Sequence, residues 1–432
     1  MKKTIFLLLI LFLSFYSRAQ KENIESSLSE LPDITFERIN KINGYDFNYV
    51  LKVRQPLDHF DTTKGFFHQK VYLSHKGFEQ PTVLVTAGYN VNRNGLYELT
   101  RLLEANQIIV EHRYFGHSMP DSMDYNYLNL KQATADLHHI RQLFTPIYSE
   151  KWLSTGISKG GATTIFYRYF YPNDVDVSVP YVAPINKSYE EPRIYTFLDT
   201  IGTDECRNKI KAFQVRVLKN REQILPLLKF YSIGANVHYS YLSLDEAFEY
   251  AVMEYPFSFW QWGHSCENIS AETASIGEIT EYFISVSGLT FFSDESIRNY
   301  NSHYYQSATE MGYYGYETSE FKDLLVELPT DSNPHATFFT FEMTDEFNGQ
   351  LLVDVHHWLD TDGDKFIYIY GGNDTWTASA IAPNDKVDSE WFILKGKHHG
   401  TARISEMNDS EKEKLISTLE KWLSIQITTT NN

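Results

Sequence analysis

The chain is poor in the features that would place it in several other classes. Only two cysteines occur in 432 residues, Cys206 and Cys266. That is too few for a disulfide-rich scaffold, and neither has the nearby histidines a zinc site would need. Basic residues are also in deficit, with 38 Lys and Arg against 56 Asp and Glu and a formal charge of −18. Such a chain repels nucleic acid and anionic lipid, so neither is expected as a partner. Beyond the first residues no apolar run is long enough to cross a bilayer, and no membrane anchor is expected. Internal repeats and low-complexity linkers are missing. Metal motifs are missing too: His138-His139 and His356-His357 are adjacent pairs that diverge on a helix. Residues 360–364 (DTDGD) lack the glycine at position six and the later glutamate of an EF-hand loop. Neither a metal nor another cofactor is expected.

What the chain does have begins with a targeting segment. Lys2 and Lys3 precede an apolar stretch at residues 5–16, and Ser17 and Ala19 put small residues at the −3 and −1 positions of a cleavage site. Residues 1–19 therefore read as a cleaved signal peptide, and the product as periplasmic or secreted. Cleavage removes Lys2, Lys3 and Arg18, so −18 less three positive charges becomes −21. In an exported protein, two isolated cysteines read as one disulfide, Cys206 to Cys266. It would close a loop of about 60 residues, worth roughly 4 kcal/mol by chain entropy.

Strand signals open the mature chain at residues 45–53 and 66–73, followed by a buried run at 81–86 (PTVLVT). A helix is expected over about 96–105, a strand at 107–110, and a helix marked by Leu130, Ala133, Leu137, Ile140 and Phe144. Further strands are expected at 151–155, 175–183, 338–341, 366–371 and 390–394, and a last helix at about 410–425. Strands alternating with helices imply a mostly parallel sheet covered on both faces. Between roughly 186 and 328 the strand signal gives way to aromatic-rich helical segments. The expected organisation is a core of residues 33–186 and 336–426, interrupted by a helical cap at 187–335.

The chemistry concentrates at residues 156–160, Gly-Ile-Ser-Lys-Gly. A strand precedes this G-x-S-x-G and a helical pattern follows it, the context of a nucleophile elbow that lifts a serine out of a sheet edge. A serine hydroxyl needs a base, and the base needs an orienting acid. Asp374 follows the strand at 366–371 and His399 follows the strand at 390–394, which supplies the order Ser158, Asp374, His399 at three strand exits. His398 is the rival base; His399 is preferred because it adjoins Gly400. An oxyanion hole needs two backbone N–H groups. Lys159 offers one, and the loop after residues 81–86 offers the other at Gly88, Tyr89 or Asn90. The H-G-G-G loop of lipases is missing.

Six segments carry a family resemblance: QPLDHFD (55–61), EHRYFGHS (111–118), GISKGG (156–161), DVDVSVPYVAP (174–184), GTDECR (202–207) and Asp374-Thr375-Trp376. With them the chain resembles the secreted bacterial prolyl tripeptidyl and tetrapeptidyl aminopeptidases. These are α/β-hydrolase serine peptidases related to the lysosomal prolyl carboxypeptidase group. The resemblance implies Ser158, Asp374 and His399 as the triad, a helical cap over the site, and release of short peptides from free N-termini after proline. It departs at Thr375, where the family pattern has proline, which bears on the geometry of the acid's loop.

An exopeptidase of this kind needs an acidic group for the substrate ammonium, for which Glu111, Glu190 and Glu191 are the candidates. A flat wall for the proline ring is expected from Trp376 and Tyr89. An esterase or a C-terminal-acting carboxypeptidase is the alternative enzyme. A catalytically inactive α/β-hydrolase used for binding is the alternative outside catalysis.

Overall fold

A computed structural model describes residues 23–329, 338–341 and 343–428; the expected signal peptide and the expected boundary at 335/336 lie outside them. One sheet of nine strands organises the chain: β1 Ile34–Arg38, β2 Phe47–Pro56, β3 Phe66–His75, β4 Thr82–Thr86, β5 Asn106–Val110, β6 Trp152–Ile157, β7 Val177–Tyr181, β8 Ile367–Gly371 and β9 Glu390–Leu394. Their spatial order is β1-β2-β3-β5-β4-β6-β7-β8-β9. The pairs from β1 to β5 are antiparallel, and every pair from β5 through β4 to β9 is parallel. Strands β4, β5, β7 and β8 are buried at every residue, as a sheet covered on both faces requires.

Period-two alternation divides the core between those faces. Val83, Val85, Ile367 and Ile369 point to the side where Leu99, Leu415 and Leu419 pack, from the helices Glu98–Leu102 and Asp409–Leu423. Phe366, Tyr368 and Tyr370 point to the other side, against Ile165, Phe166, Leu352 and Val355 of the helices Lys159–Phe170 and Gln350–Thr361. Leu84 joins Leu137, Ile140 and Phe144 of the helix Leu130–Phe144 on that second side. Each fully buried Leu or Ile contributes about 1.5–3 kcal/mol of burial. This is an α/β-hydrolase fold.

Between β7 and β8 the chain leaves the sheet and forms helices, among them Asp204–Lys219, Arg221–Ala235, Leu244–Gln261, Ile276–Ser287 and Asp294–Gln306. They share an aromatic cluster of their own, including Phe213, Phe248, Tyr250, Phe257, Phe283, Phe292 and Tyr304. The Cys206–Cys266 disulfide lies in this segment, with Cα atoms 5.5 Å apart. Helix Leu244–Gln261 contains Pro256, which has no N–H for the Val252 carbonyl; Gln214 Nε2 donates to that oxygen instead, at 2.8 Å.

Two expected elements differ. Residues 338–341 form no strand. Phe338 is buried among Tyr250, Phe292 and Tyr304, so side-chain packing has overridden β propensity there. The helix expected at 96–105 shortens to Glu98–Leu102, because Glu104 turns left-handed at φ 46° and feeds the chain into β5.

Candidate active site

Strand β6 ends at Ile157, and the next residue, Ser158, has φ 59° and ψ −127°, an unfavourable conformation for a residue with a Cβ. Strain of this kind costs on the order of 1–3 kcal/mol and persists only where neighbours over-determine it. Here they do. Ser158 N donates to Tyr181 O of β7 at 2.9 Å. A Cβ on Gly156 would run into Gly160 O, and one on Gly160 would lie 2.5 Å from Thr86 O of β4. The glycines are set by close backbone contact across the turn, which leaves the serine standing at the sheet edge.

Asp374, just past β8, is fully buried and caps a short helical turn, Thr375–Ser379. Its Oδ1 accepts from Trp376 N at 3.1 Å, while Oδ2 lies 2.7 Å from His399 Nδ1. The carboxylate therefore fixes the imidazole tautomer with the proton on Nδ1. His398 does not share this contact; its Nδ1 accepts from Gly400 N and its ring lies against Gly263. Thr375, where the family pattern has proline, donates its hydroxyl to Phe257 O at 2.9 Å, a bond proline could not make. The loop is thereby tied to the helical segment.

Ser158 and His399 line the same cavity of about 370 Å³. Next to it, the Gly88 backbone presses on the start of helix Lys159–Phe170: a Cβ on Gly88 would lie 2.5 Å from Gly160 N. The first N–H groups of a helix have no intrahelical acceptor, and the Ser158 side chain does not cap this one. Lys159 Nζ is buried and donates to Gly88 O at 2.9 Å and to Gln306 Oε1 at 2.8 Å; burial pushes its pKa down to about 7. A peptide unit is planar and trans, so holding Gly88 O directs the N–H of Tyr89 to the opposite side.

The structure does not bring the three expected acidic residues to this cavity. Glu111 is fully buried at the exit of β5, where its carboxylate accepts from Val91 N, His117 N and Ser118 Oγ and pairs with Lys70 Nζ at 2.9 Å. With those partners it braces the loops after β4 and β5 against β3, and its carboxylate is already occupied. Glu191 pairs with Arg193 and accepts from Lys187 N. Glu190 takes the Tyr195 hydroxyl and bridges to Tyr313 through its backbone. Trp376 and Tyr89 do line the cavity. Trp376 packs against Phe257, Tyr313 and Tyr314, and Tyr89 against Phe115, Tyr300 and His303.

One cavity residue is absent from the expectations above. Glu254, on helix Leu244–Gln261, is 4% exposed and accepts from Ser258 Oγ at 2.8 Å, Tyr314 OH at 2.8 Å and Tyr316 OH at 2.9 Å. Burial pushes its pKa up to about 7. Its one sequence signal is an acid inside an otherwise aromatic and apolar run, AVMEYPFSFW at 251–260. Among the described residues no cluster of His, Cys, Asp or Glu is arranged to hold a metal ion. Asp364 of the 360–364 turn accepts from Asp388 N at 2.7 Å and so helps hold the entry to β8.

Comparison with known proteins gives this geometry its context. The profile of PS-10 peptidase S37 matches residues 18–430, nearly the whole chain. The chain belongs to the peptidase S37 family. Its relatives include the prolyl tri/tetrapeptidyl aminopeptidase of Streptomyces mobaraensis, 29% identical over 415 residues, with 94% of this chain and 86% of that protein covered. The lysosomal Pro-X carboxypeptidase of Homo sapiens is 27% identical over 179 residues, 36% of each chain. Among solved structures, the proline iminopeptidase of Mycobacterium smegmatis matches at TM-score 0.38 and 10% identity, over 86% of this chain and 97% of that one. This S37 protein is a serine peptidase.

Proposed function

We propose that this S37 peptidase is an exported exopeptidase that releases tri- or tetrapeptides from free N-termini, cutting after proline. The observation that carries the reading is the contact of Asp374 Oδ2 with His399 Nδ1 at 2.7 Å, in a cavity that also holds the strained Ser158. His399 Nε2 takes the proton from Ser158 Oγ as that oxygen attacks the prolyl carbonyl. The C–N bond then breaks, the leaving amine takes the proton from His399, and the peptidyl ester remains on Ser158. Water, deprotonated by His399, displaces the peptide as its acid and restores the serine. Asp374 holds the imidazole and stabilises its cationic form. The N–H groups of Lys159 and Tyr89 receive the oxyanion, the second held in aim by Lys159 Nζ on Gly88 O. The wall of Trp376, Tyr313 and Tyr314 suits a proline ring. The helical segment between β7 and β8 acts as the cap.

Two further features support the reading. Residues 1–19 have the pattern of a signal peptide, and a disulfide belongs in an oxidising compartment. Among the described residues that line the cavity, the acidic side chain is Glu254, and the basic ones are His303 and His399 with no Lys or Arg. The test is Ser158→Ala, assayed on Ala-Pro-Pro coupled to a chromogenic amine. Turnover should fall by about 10⁶ while circular dichroism is unchanged. Activity within tenfold of the parent would overturn the assignment.

A further inference from the structure

Four of the buried carboxylates among the described residues are paired with a Lys or Arg. Glu111 pairs with Lys70 at 2.9 Å, Asp136 with Arg113 at 2.8 Å, Glu191 with Arg193 at 2.7 Å and Glu249 with Arg221 at 2.6 Å. Glu254 and Asp294 are not; Asp294 takes two backbone N–H groups and a hydroxyl from Ser240 and Tyr241, away from the cavity of Ser158, whereas Glu254 lines it. Glu254 is just as buried, yet its three partners, Ser258, Tyr314 and Tyr316, are neutral hydroxyls. A buried charge without a counter-ion is costly, and proteins rarely keep one without a use for it.

Its location supplies the use. Glu254 is the one acidic side chain among the described residues lining the cavity that contains Ser158 and His399. An ionised carboxylate has about four lone-pair sites, and the three hydroxyls occupy three of them, two on Oε2 and one on Oε1. One site on Oε1 remains for a donor. Tyr300, Tyr313, Tyr314 and Trp376 line the same cavity, and aromatic ring faces attract a cation. A compact cation with several N–H donors completes this arrangement.

We propose that Glu254 binds the α-ammonium of the peptide substrate. The inference rests on the exopeptidase reading and deepens it. Ser158 marks the bond that is cut and Glu254 the point where the chain must end, so the span between them within one cavity limits the length of the released peptide. Glu254 is thus a specificity-determining residue and takes no part in the bond-breaking steps.

The decisive comparison uses Glu254→Gln, which keeps the size of the side chain and one accepting oxygen but removes the charge, on Ala-Pro-Pro chromogenic amide with free and with acetylated N-terminus. The parent should favour the free form. In the variant, KM for the free form should rise about 10- to 100-fold with kcat within a few-fold, and the acetylated form should be cleaved as by the parent. An unchanged KM and an unchanged preference in the variant would overturn the anchor and leave the exopeptidase reading standing. If the parent itself cleaves both forms equally, the exopeptidase reading falls and the anchor with it. A second measurement needs no variant: inhibition of the parent by Ala-Pro-Pro and by its des-amino analogue, propionyl-Pro-Pro. The analogue should bind about 10- to 100-fold more weakly; equal inhibition would overturn the proposal.

Discussion

The sheet edge and the helical segment above it treat polar groups differently. At the sheet edge the groups around the serine are tied to near neighbours: Ser158 N to Tyr181 O, Asp374 to Trp376 N and His399, Glu111 to Lys70 and three donors. On the helical side, the cavity wall is aromatic and its one carboxylate, Glu254, is held by hydroxyls with no cation. The difference separates two tasks. A rigid, self-satisfied edge suits bond breaking, where misplacement is costly. A wall with an unneutralised charge suits selection of a ligand that brings the missing partner.

If this division holds, variants on the two sides should leave different kinetic signatures. Asp374→Asn should lower kcat by about 10⁴ on free and acetylated substrates alike, because it spoils the imidazole tautomer and nothing at the far end of the peptide. A substrate-dependent loss would blur the division. Replacing Cys206 and Cys266 by serine removes the link across 60 residues and should lower stability by about 4 kcal/mol, read from denaturant unfolding. Lys159→Met removes the hold on Gly88 O and should lower kcat about 10- to 100-fold with little change in KM, less than deletion of an oxyanion donor itself.

The smallest expected effect is one of pH. With its pKa raised to about 7 by burial, Glu254 is neutral below that value and charged above it. Tyr314 and Tyr316, which face it, are pushed well above their ordinary range and stay protonated. A peptide α-amino group titrates at about 7.7–8.0. The advantage of Ala-Pro-Pro over its des-amino analogue should therefore peak between about pH 7 and 8 and fall up to tenfold by about pH 6. His399 and His303 line the same cavity, and a positive charge on either would act against the ammonium-bearing ligand alone, adding to the loss on the acid side. A ratio that is flat from pH 6 to 8 would mean Glu254 does not titrate there.

The same contrast governs what could be read from the chain alone. The elbow, the acid and the base follow strands directly, so short motifs and hydrophobic runs were enough to place Ser158, Asp374 and His399 on one edge. Glu111 was rightly put at a strand exit, but its partner Lys70 lies on another strand, and nothing local showed that its carboxylate was already occupied. Glu254 was hidden for the mirror-image reason. Two of its three hydroxyl partners are 60 and 62 residues away, and what distinguishes it is the lack of a cation, which no local window displays. Phe338 misled in the same way, since an aromatic run reads as strand until the rings it packs against are known.

Two hydrogen bonds at the top of the sheet have an implication for traffic and timing. His399 N donates to Gln261 O at 3.1 Å, and Thr375 Oγ1 donates to Phe257 O at 2.9 Å. Both land on the final turns of one helix, Leu244–Gln261, from the loops that carry the proposed base and its acid. Swinging that helix aside like a gate would pull both loops with it, so peptides should thread in through a fixed mouth. The same coupling works as an interlock. Until that helix has docked, the loops that carry the proposed base and acid lack these two anchors.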